Sequence, residues 1–138
     1  MCAAYAYIYN LGAQSVPLEG NITFDSNGVI KGGITHAPGT ATITLGTTGD
    51  YAVWFNVAGT RANQFALFLN GSPVAGGIYG SGANDQPNPG LVIVTAASGD
   101  VLNLRNHSST VGSVTLQTNA GGHQANANAS VMIQKISV

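Results

Sequence analysis

Hydrophobic and polar residues alternate with a period of two along most of the chain. Tyr5, Tyr7 and Tyr9 alternate with alanine and isoleucine. The segment 51–58 places Trp54 opposite a row of apolar neighbours. Such alternation is typical of β-strands, because successive side chains of a strand point to opposite faces. No segment shows the 3.6-residue period of an amphipathic helix, so the pattern predicts an all-β domain.

Glycine and asparagine divide the chain into short segments. Asn70-Gly71 predicts a two-residue hairpin turn, because both residues tolerate positive φ angles. Asn27-Gly28 gives the same signal, and Ser98-Gly99-Asp100 predicts a further turn. Residues 80–90 and 118–130 are rich in turn-forming residues and predict loops. Roughly eight to ten short strands, with turns about every 8 to 12 residues, favour a β-sandwich or jelly roll.

Two strands carry apolar or aromatic side chains on both faces. The first strand has tyrosines on one face and alanine and isoleucine on the other. In the segment 65–69, Phe65 and Leu67 share one face and Phe68 lies on the other. A sandwich normally buries only one face of each sheet, so a long loop or a neighbouring subunit must cover the second. The apolar run 91–95 predicts a further buried strand.

The large apolar side chains are the candidates for a functional surface. The three tyrosines suit a subunit interface, a sugar-stacking platform or the sandwich core. Trp54 suits either the second face of a sheet or a trimer seam. The candidates for trimer interface or core are Tyr5, Tyr7, Tyr9, Trp54, Phe65, Leu67 and Phe68.

Charge is scarce in this sequence and limits the classes of partner. Charged residues make up 7 % of the chain, against roughly 25 % in a typical soluble domain. A net charge of −1 provides little repulsion between copies and favours association. The few scattered basic residues cannot neutralise a phosphate backbone, so we expect no nucleic-acid partner. No apolar run approaches the roughly 20 residues that a membrane-spanning helix needs, so we expect no membrane span.

Residues for catalysis or metal binding form no recognisable pattern. His36, His107 and His123 lack the spacing of a zinc site, and we predict exposed histidines in loops or at strand ends. Cys2 is predicted to be a free thiol. The acidic residues are too scattered for a calcium site. We therefore expect no catalytic, cofactor-binding or metal-binding residues, no cofactor and no enzymatic activity.

Four N-x-[ST] sequences raise the question of glycan attachment. They begin at Asn21, Asn70, Asn106 and Asn128. Such sequences are acceptors in secreted glycoproteins, but chance matches are expected in a chain this rich in asparagine, serine and threonine. The sequence leaves both interpretations open.

Residues 49–55, GDYAVWF, are similar to the G-x-Y-x-F/W-x strand of the C1q/tumour-necrosis-factor superfamily. Other matching features are the tyrosine-alanine first strand, the strand 65–69, the Asn70-Gly71 turn and the closing segment 129–133, ASVMI. With these features, nearly the whole chain resembles the C-terminal domain of collagen-like exosporium glycoproteins of spore-forming bacteria (BclA-like).

This resemblance implies a single domain over residues 1–138, a ten-stranded C1q/TNF-like jelly roll packed as a tight homotrimer. It further implies a structural cap on a collagen-like stalk that lies upstream in the full-length protein. The location would be extracellular, on the spore surface (exosporium), with adhesion or contact with a host protein or glycan as a role. The residues leave two alternatives: a carbohydrate-binding module or lectin on a β-sandwich, and a hydrolase of an unrecognised β fold.

Overall fold

The computed structural model describes residues 3–137, and their regular structure is entirely β-strand. Cys2, the expected free thiol, lies outside the described residues. The strands in chain order are β1 Tyr5–Asn10, β2 Gln14–Val16, β3 Ser26–Lys31, β4 Ile34–Thr35, β5 Ile43–Leu45, β6 Gly49–Ala58, β7 Asn63–Leu69, β8 Ser72–Ser81, β9 Pro87–Ala96, β10 Asp100–Asn106, β11 Val114–Leu116 and β12 Ala129–Lys135.

Ten of the strands form two five-stranded antiparallel sheets. Sheet I has the order β3-β1-β12-β6-β9, and sheet II has the order β4-β5-β10-β7-β8. The strands β2 and β11 pair with each other in a small third sheet. Because β1 pairs with β12, residues far apart in sequence form the centre of sheet I. This arrangement confirms the prediction of a ten-stranded jelly roll.

The hydrophobic core lies between the two sheets and takes one face from each. Alternate residues of β1, β6, β10 and β12 enter it, because the side-chain period of a strand is two. Tyr51 is fully buried, and its hydroxyl donates to Thr47 O at 2.6 Å. The largest buried side chains are Tyr51, Phe24, Phe65, Ile8, Ile22, Ile43, Leu45, Leu67, Leu102, Leu104, Leu116 and Ile133.

Two of the expected turns are confirmed. Asn70 and Gly71 join β7 to β8 with φ angles of 50° and 81°, the left-handed values that a two-residue hairpin requires. Gly99 has a φ of 91° in the turn before β10. At these positions the backbone conformation explains the choice of glycine or asparagine.

The prediction of a hairpin turn at Asn27-Gly28 is wrong. Both residues lie inside β3, which pairs with β1 through an irregular register. The Asn27 side chain donates to His36 O at 2.7 Å, so the amide serves a tertiary contact. Position 28 packs against Tyr7, since an added Cβ would lie 3.1 Å from the Tyr7 ring.

The predicted loop over residues 80–90 is longer than the observed one. Strand β8 continues to Ser81, and β9 already begins at Pro87. Pro87 and Pro89 are compatible with β9 because it is the edge strand of sheet I and can leave some amide positions unpaired.

Gly90 provides a test of the packing between β9 and β6. It lies opposite Phe55, and an added Cβ would lie 2.2 Å from Phe55 Cζ. Because Phe55 is buried and packs edge-on against Tyr79 at 5.6 Å, its ring has little room to move. We expect Gly90→Ala to lower the free energy of unfolding by about 2 kcal/mol.

Urea denaturation measures this effect, with Gly122→Ala as the control, because an added Cβ at position 122 meets no atom within 4 Å. Equal stabilities of the two variants would contradict the close packing of Phe55 on Gly90.

Candidate functional site

The outward face of sheet I carries a continuous row of exposed apolar side chains. The strand register aligns Tyr7 of β1 with Met132 of β12, Met132 with Trp54 of β6, and Trp54 with Leu91 of β9. These four side chains are 42 %, 44 %, 39 % and 44 % exposed, respectively. We define the aromatic face as the apolar side chains on this side of sheet I: Tyr5, Tyr7, Tyr9, Trp54, Leu91, Ile93 and Met132.

The tyrosines of the aromatic face are ordered by their packing. The rings of Tyr7 and Tyr9 stack with centroids 5.2 Å apart and planes 25° from parallel. Tyr5 lies across from Lys31 of β3, and Asp50 lies at the start of β6. These charged residues mark the border of the face, so its centre is apolar and suited to contact with another apolar surface.

The structure separates the seven candidates from the sequence into two groups. Tyr5, Tyr7, Tyr9 and Trp54 lie together on the outward face of sheet I. Phe65, Leu67 and Phe68 belong to β7 of sheet II and are all buried. Phe65 and Leu67 enter the core between the sheets, whereas Phe68 lies on the opposite side of its strand.

The chain itself covers Phe68. The guanidinium of Arg105 lies 3.9 Å from the Phe68 ring centroid, and the His107 ring packs edge-on at 5.2 Å. Arg105 Nε donates to Asn21 Oδ1 at 3.0 Å, and Ile22 N donates to Leu104 O at 2.8 Å. The segment 17–24, which we call the cover segment, thus lies beside β10 and holds in place the Arg105 side chain that covers Phe68.

Glu19 anchors the cover segment to β10 and the loop after it. Its carboxylate accepts a hydrogen bond from His107 Nδ1 at 2.7 Å and another from Ser108 N at 2.9 Å. The hydrogen bond from His107, followed by that from the Ser108 amide, holds the pKa of Glu19 below its ordinary value of 4.5.

The lowered pKa of Glu19 predicts a loss of stability in acid. Because the folded state favours the ionised carboxylate, this contribution is present above pH 4.5 and is lost as the pH falls through the folded pKa. We therefore expect the wild type to melt at a higher temperature than Glu19→Gln at pH 7, and the difference to shrink as the pH falls below 4.5. Thermal melts across this range measure it, and a pH-independent difference would contradict the assignment.

Sequence reasoning missed three members of the aromatic face. Leu91 and Ile93 were expected to be buried, but only Val94 of that run is fully enclosed. The run is apolar at every position from 91 to 94, so no alternation marks its outward side. Met132 lies within the closing strand, and only the cross-strand register brings it beside Tyr7 and Trp54.

A second exposed apolar surface lies beside the aromatic face, where the edges of the two sheets meet. Here the edge strands β8 and β9 border a groove of about 330 Å³, lined in part by Leu69, Val74 and Ile93. Ile78 of β8 is exposed on the same edge. We call this the edge groove.

The histidines do not meet at a common site. The expectation of exposed histidines is wrong for His36, which is buried with Nε2 2.8 Å from Thr40 O. His107 belongs to the Glu19 cluster, and His123 is exposed in the loop before β12. Within residues 3–137, no group of three or more histidine, cysteine, aspartate or glutamate side chains converges as a metal site would require.

Burial decides which N-x-[ST] asparagines are accessible. Asn106 and Asn128 are fully enclosed and donate to backbone carbonyl groups. Asn21 is half-buried against Arg105, whereas Asn70 is exposed in the β7–β8 turn. Of the four, Asn70 is the one whose side chain stands at an open surface.

Comparison with solved structures identifies the fold. The chain is similar to the globular domain of zebrafish complement 1qA protein, with a TM-score of 0.69 and 8 % identity over 98 % of this chain and 97 % of that one. It is also similar to murine APRIL, with a TM-score of 0.68 and 7 % identity over 97 % and 99 % of the two chains. A third similar structure is the Eiger TNF from S. frugiperda, with a TM-score of 0.66 and 12 % identity over 99 % of this chain and 94 % of that one.

Other comparisons add no relative. No protein-family model matches the sequence, and no curated protein sequence matches it. In the described residues there is no helix with the length and hydropathy that a membrane crossing needs. The similar structures share little sequence with this chain, so they establish its architecture: a C1q/TNF-like jelly roll.

Proposed function

We propose that this chain is a non-enzymatic interaction domain that assembles as a homotrimer through the aromatic face. The observation that carries the proposal is the exposed row formed by Tyr7, Met132, Trp54 and Leu91 across four strands. An apolar surface of this extent is costly in water and marks an interaction site. The low net charge of the chain favours the approach of further copies.

The position of the edge groove supports a ring-shaped assembly. It lies at the β8–β9 border of the molecule, whereas the tyrosines lie on β1 towards the other border of sheet I. When the tyrosine half of one copy packs against the edge groove of the next, the contact joins two different surfaces. Such head-to-tail contacts close into a ring when the rotation permits, and a threefold ring also protects the edge strands.

The geometry of β1 and β12 supports a role as a cap on a stalk. Tyr5 pairs with Gln134, so the first and last strands reach the same end of the sandwich. A collagen-like stalk that preceded β1 would join the domain at this end. The loops at the opposite end, which include residues 82–86 and 117–128, would then face away from the stalk.

The biological setting follows from the resemblance to exosporium glycoproteins. We infer one domain over residues 1–138, a position on the extracellular surface of a bacterial spore, and a role in adhesion or host contact. The host partner is a protein or glycan that the distal loops can reach. Immunoelectron microscopy of spores from the source organism, with an antibody against this domain, tests the location; labelling confined to the spore interior would contradict it.

Light scattering coupled to size exclusion tests the assembly directly. We expect a particle of three times the 14.0 kDa mass of the chain at micromolar concentration. Because a closed threefold ring contains three copies, a stable monomer or dimer under these conditions would overturn the proposal.

A further inference from the structure

A cavity lies between β7, β8 and the loop after β10, in the half of the molecule farthest from the Asn70-Gly71 turn. Its volume is about 300 Å³, at the lower end of the range for small-molecule sites. Its polar side chains are Asn63, Gln64, Ser81, Ser108, Ser109 and Thr110, with Gly80 and Gly82 as part of the lining. We call it the polar cavity.

One wall of the polar cavity is held in place by hydrogen bonds within the protein. The Ser109 hydroxyl donates to the Asn106 side chain and accepts from Gln64 N at 2.9 Å. Ser108 has a φ of 63°, and its amide donates to the Glu19 carboxylate. The loop therefore keeps this conformation before any ligand arrives, which lowers the entropic cost of binding.

Other groups of the polar cavity remain free for a ligand. In the described part of the chain, the side chains of Gln64, Ser108 and Thr110 are exposed, border the cavity and make no hydrogen bond to another protein group. Gly82 is part of the lining, and an added Cβ there would meet no atom within 4 Å. The Gln64 amide and the Ser108 and Thr110 hydroxyls can thus donate hydrogen bonds to a ligand and accept hydrogen bonds from it.

The chemistry of the lining selects the class of ligand. A charged ligand would lose hydration without gaining a counter-charge, because the lining side chains are all neutral. A purely apolar ligand would leave the amide and hydroxyl groups without partners. We propose that the polar cavity binds a small uncharged polyhydroxylated molecule of monosaccharide size, whose hydroxyl groups match these donors and acceptors.

This site is separate from the proposed trimer surface. The aromatic face belongs to sheet I, and the edge groove uses the end of the β7–β8 hairpin near Leu69 and Val74, whereas the polar cavity lies at the opposite end of that hairpin. The inference also differs from a sugar-stacking platform, which would use the rings of Tyr7, Tyr9 and Trp54. Sugar binding at the polar cavity can therefore be tested independently of whether the chain forms a trimer.

Amide chemical shifts of 15N-labelled protein, titrated to millimolar concentrations of single sugars, test the inference. The probes are glucose, galactose, mannose, rhamnose and N-acetylglucosamine, with glucuronate as a charged comparison. We expect at least one neutral sugar to shift the amides of Gln64, Gly80, Gly82 and Ser108, and glucuronate to bind more weakly. The absence of shifts with every neutral sugar, or shifts confined to the aromatic face, would overturn the proposal.

Three variants locate the binding site. Gly82→Leu adds a large side chain at a lining position and should weaken the shifts, whereas Gly122→Leu, at an equally open position outside the lining, should leave binding unchanged. Thr110→Val removes one hydroxyl without changing the size of the side chain, and should weaken binding about fivefold, as expected for one neutral hydrogen bond. Unchanged affinity in both Gly82→Leu and Thr110→Val would place the sugar elsewhere.

Discussion

Replacing Met132 with glutamate is expected to convert the proposed trimer into folded monomers. Met132 belongs to β12, the central strand of sheet I, and stands between Tyr7 and Trp54 in the exposed row. In the assembly, each copy would bury a carboxylate without a partner, which costs several kcal/mol per site. In the monomer the side chain is 44 % exposed, so the new charge can remain hydrated and the fold is preserved.

Leu18→Glu is the matched control for Met132→Glu. Leu18 is also a large exposed apolar residue, but it belongs to the cover segment and not to the aromatic face. We expect Leu18→Glu to keep the wild-type mass in light scattering, while Met132→Glu elutes at the monomer mass with an unchanged circular dichroism spectrum. A trimeric Met132→Glu variant would show that the aromatic face is not the interface.

Replacing Asn106 with alanine is expected to destabilise the domain by about 3 kcal/mol. Asn106 is fully buried, and its Nδ2 donates to Val16 O at 3.0 Å and to Gly112 O at 2.9 Å. Its Oδ1 accepts the hydroxyl of Ser109. Alanine removes all three hydrogen bonds, so the Val16 and Gly112 carbonyls lose this donor and the Ser109 hydroxyl keeps only its contacts with Gln64. Each buried group left unsatisfied costs roughly 1–3 kcal/mol before relaxation or water entry.

Chemical denaturation at a fixed protein concentration measures the effect of Asn106→Ala, since the stability of an oligomer depends on concentration. Gln124→Ala is the control, because it removes a side-chain amide from an exposed position of the loop before β12. We expect the control to change the unfolding free energy by less than about 0.5 kcal/mol. A loss of that small size for Asn106→Ala would contradict the structural role of its amide.

Asn106 also shows how this nearly uncharged chain organises its polar interior. Buried asparagines recur at the end of the sandwich where β1 ends and β12 begins. Asn10 Nδ2 donates to Asn128 Oδ1 at 2.9 Å, and Asn88 Nδ2 donates to Asn63 Oδ1 at 2.9 Å. Neutral amides satisfy one another without the desolvation cost that buried charges incur. Sequence reasoning treated such asparagines as loop residues or as glycan acceptors.

Local patterns predicted most strand-forming segments and two of the turns correctly. The alternation of Tyr5, Tyr7 and Tyr9 matches an exposed face opposite a buried one, because the two-residue period is a property of the strand itself. Asn70-Gly71 forms the expected turn because its left-handed backbone is a local preference. Asn27-Gly28 failed as a turn because its pairing with β1 and the Asn27–His36 contact outweigh that preference.

The sequence by itself determined the fold class, the strand-forming segments and the presence of two strands with two apolar faces. Only the tertiary structure decided how each second face is treated. Phe68 is covered by Arg105 and His107, whereas Tyr7 and Trp54 are left exposed beside Met132 and Leu91. The physical reason is that alternation is encoded within each strand, while the neighbours across a sheet come from segments far apart in the chain.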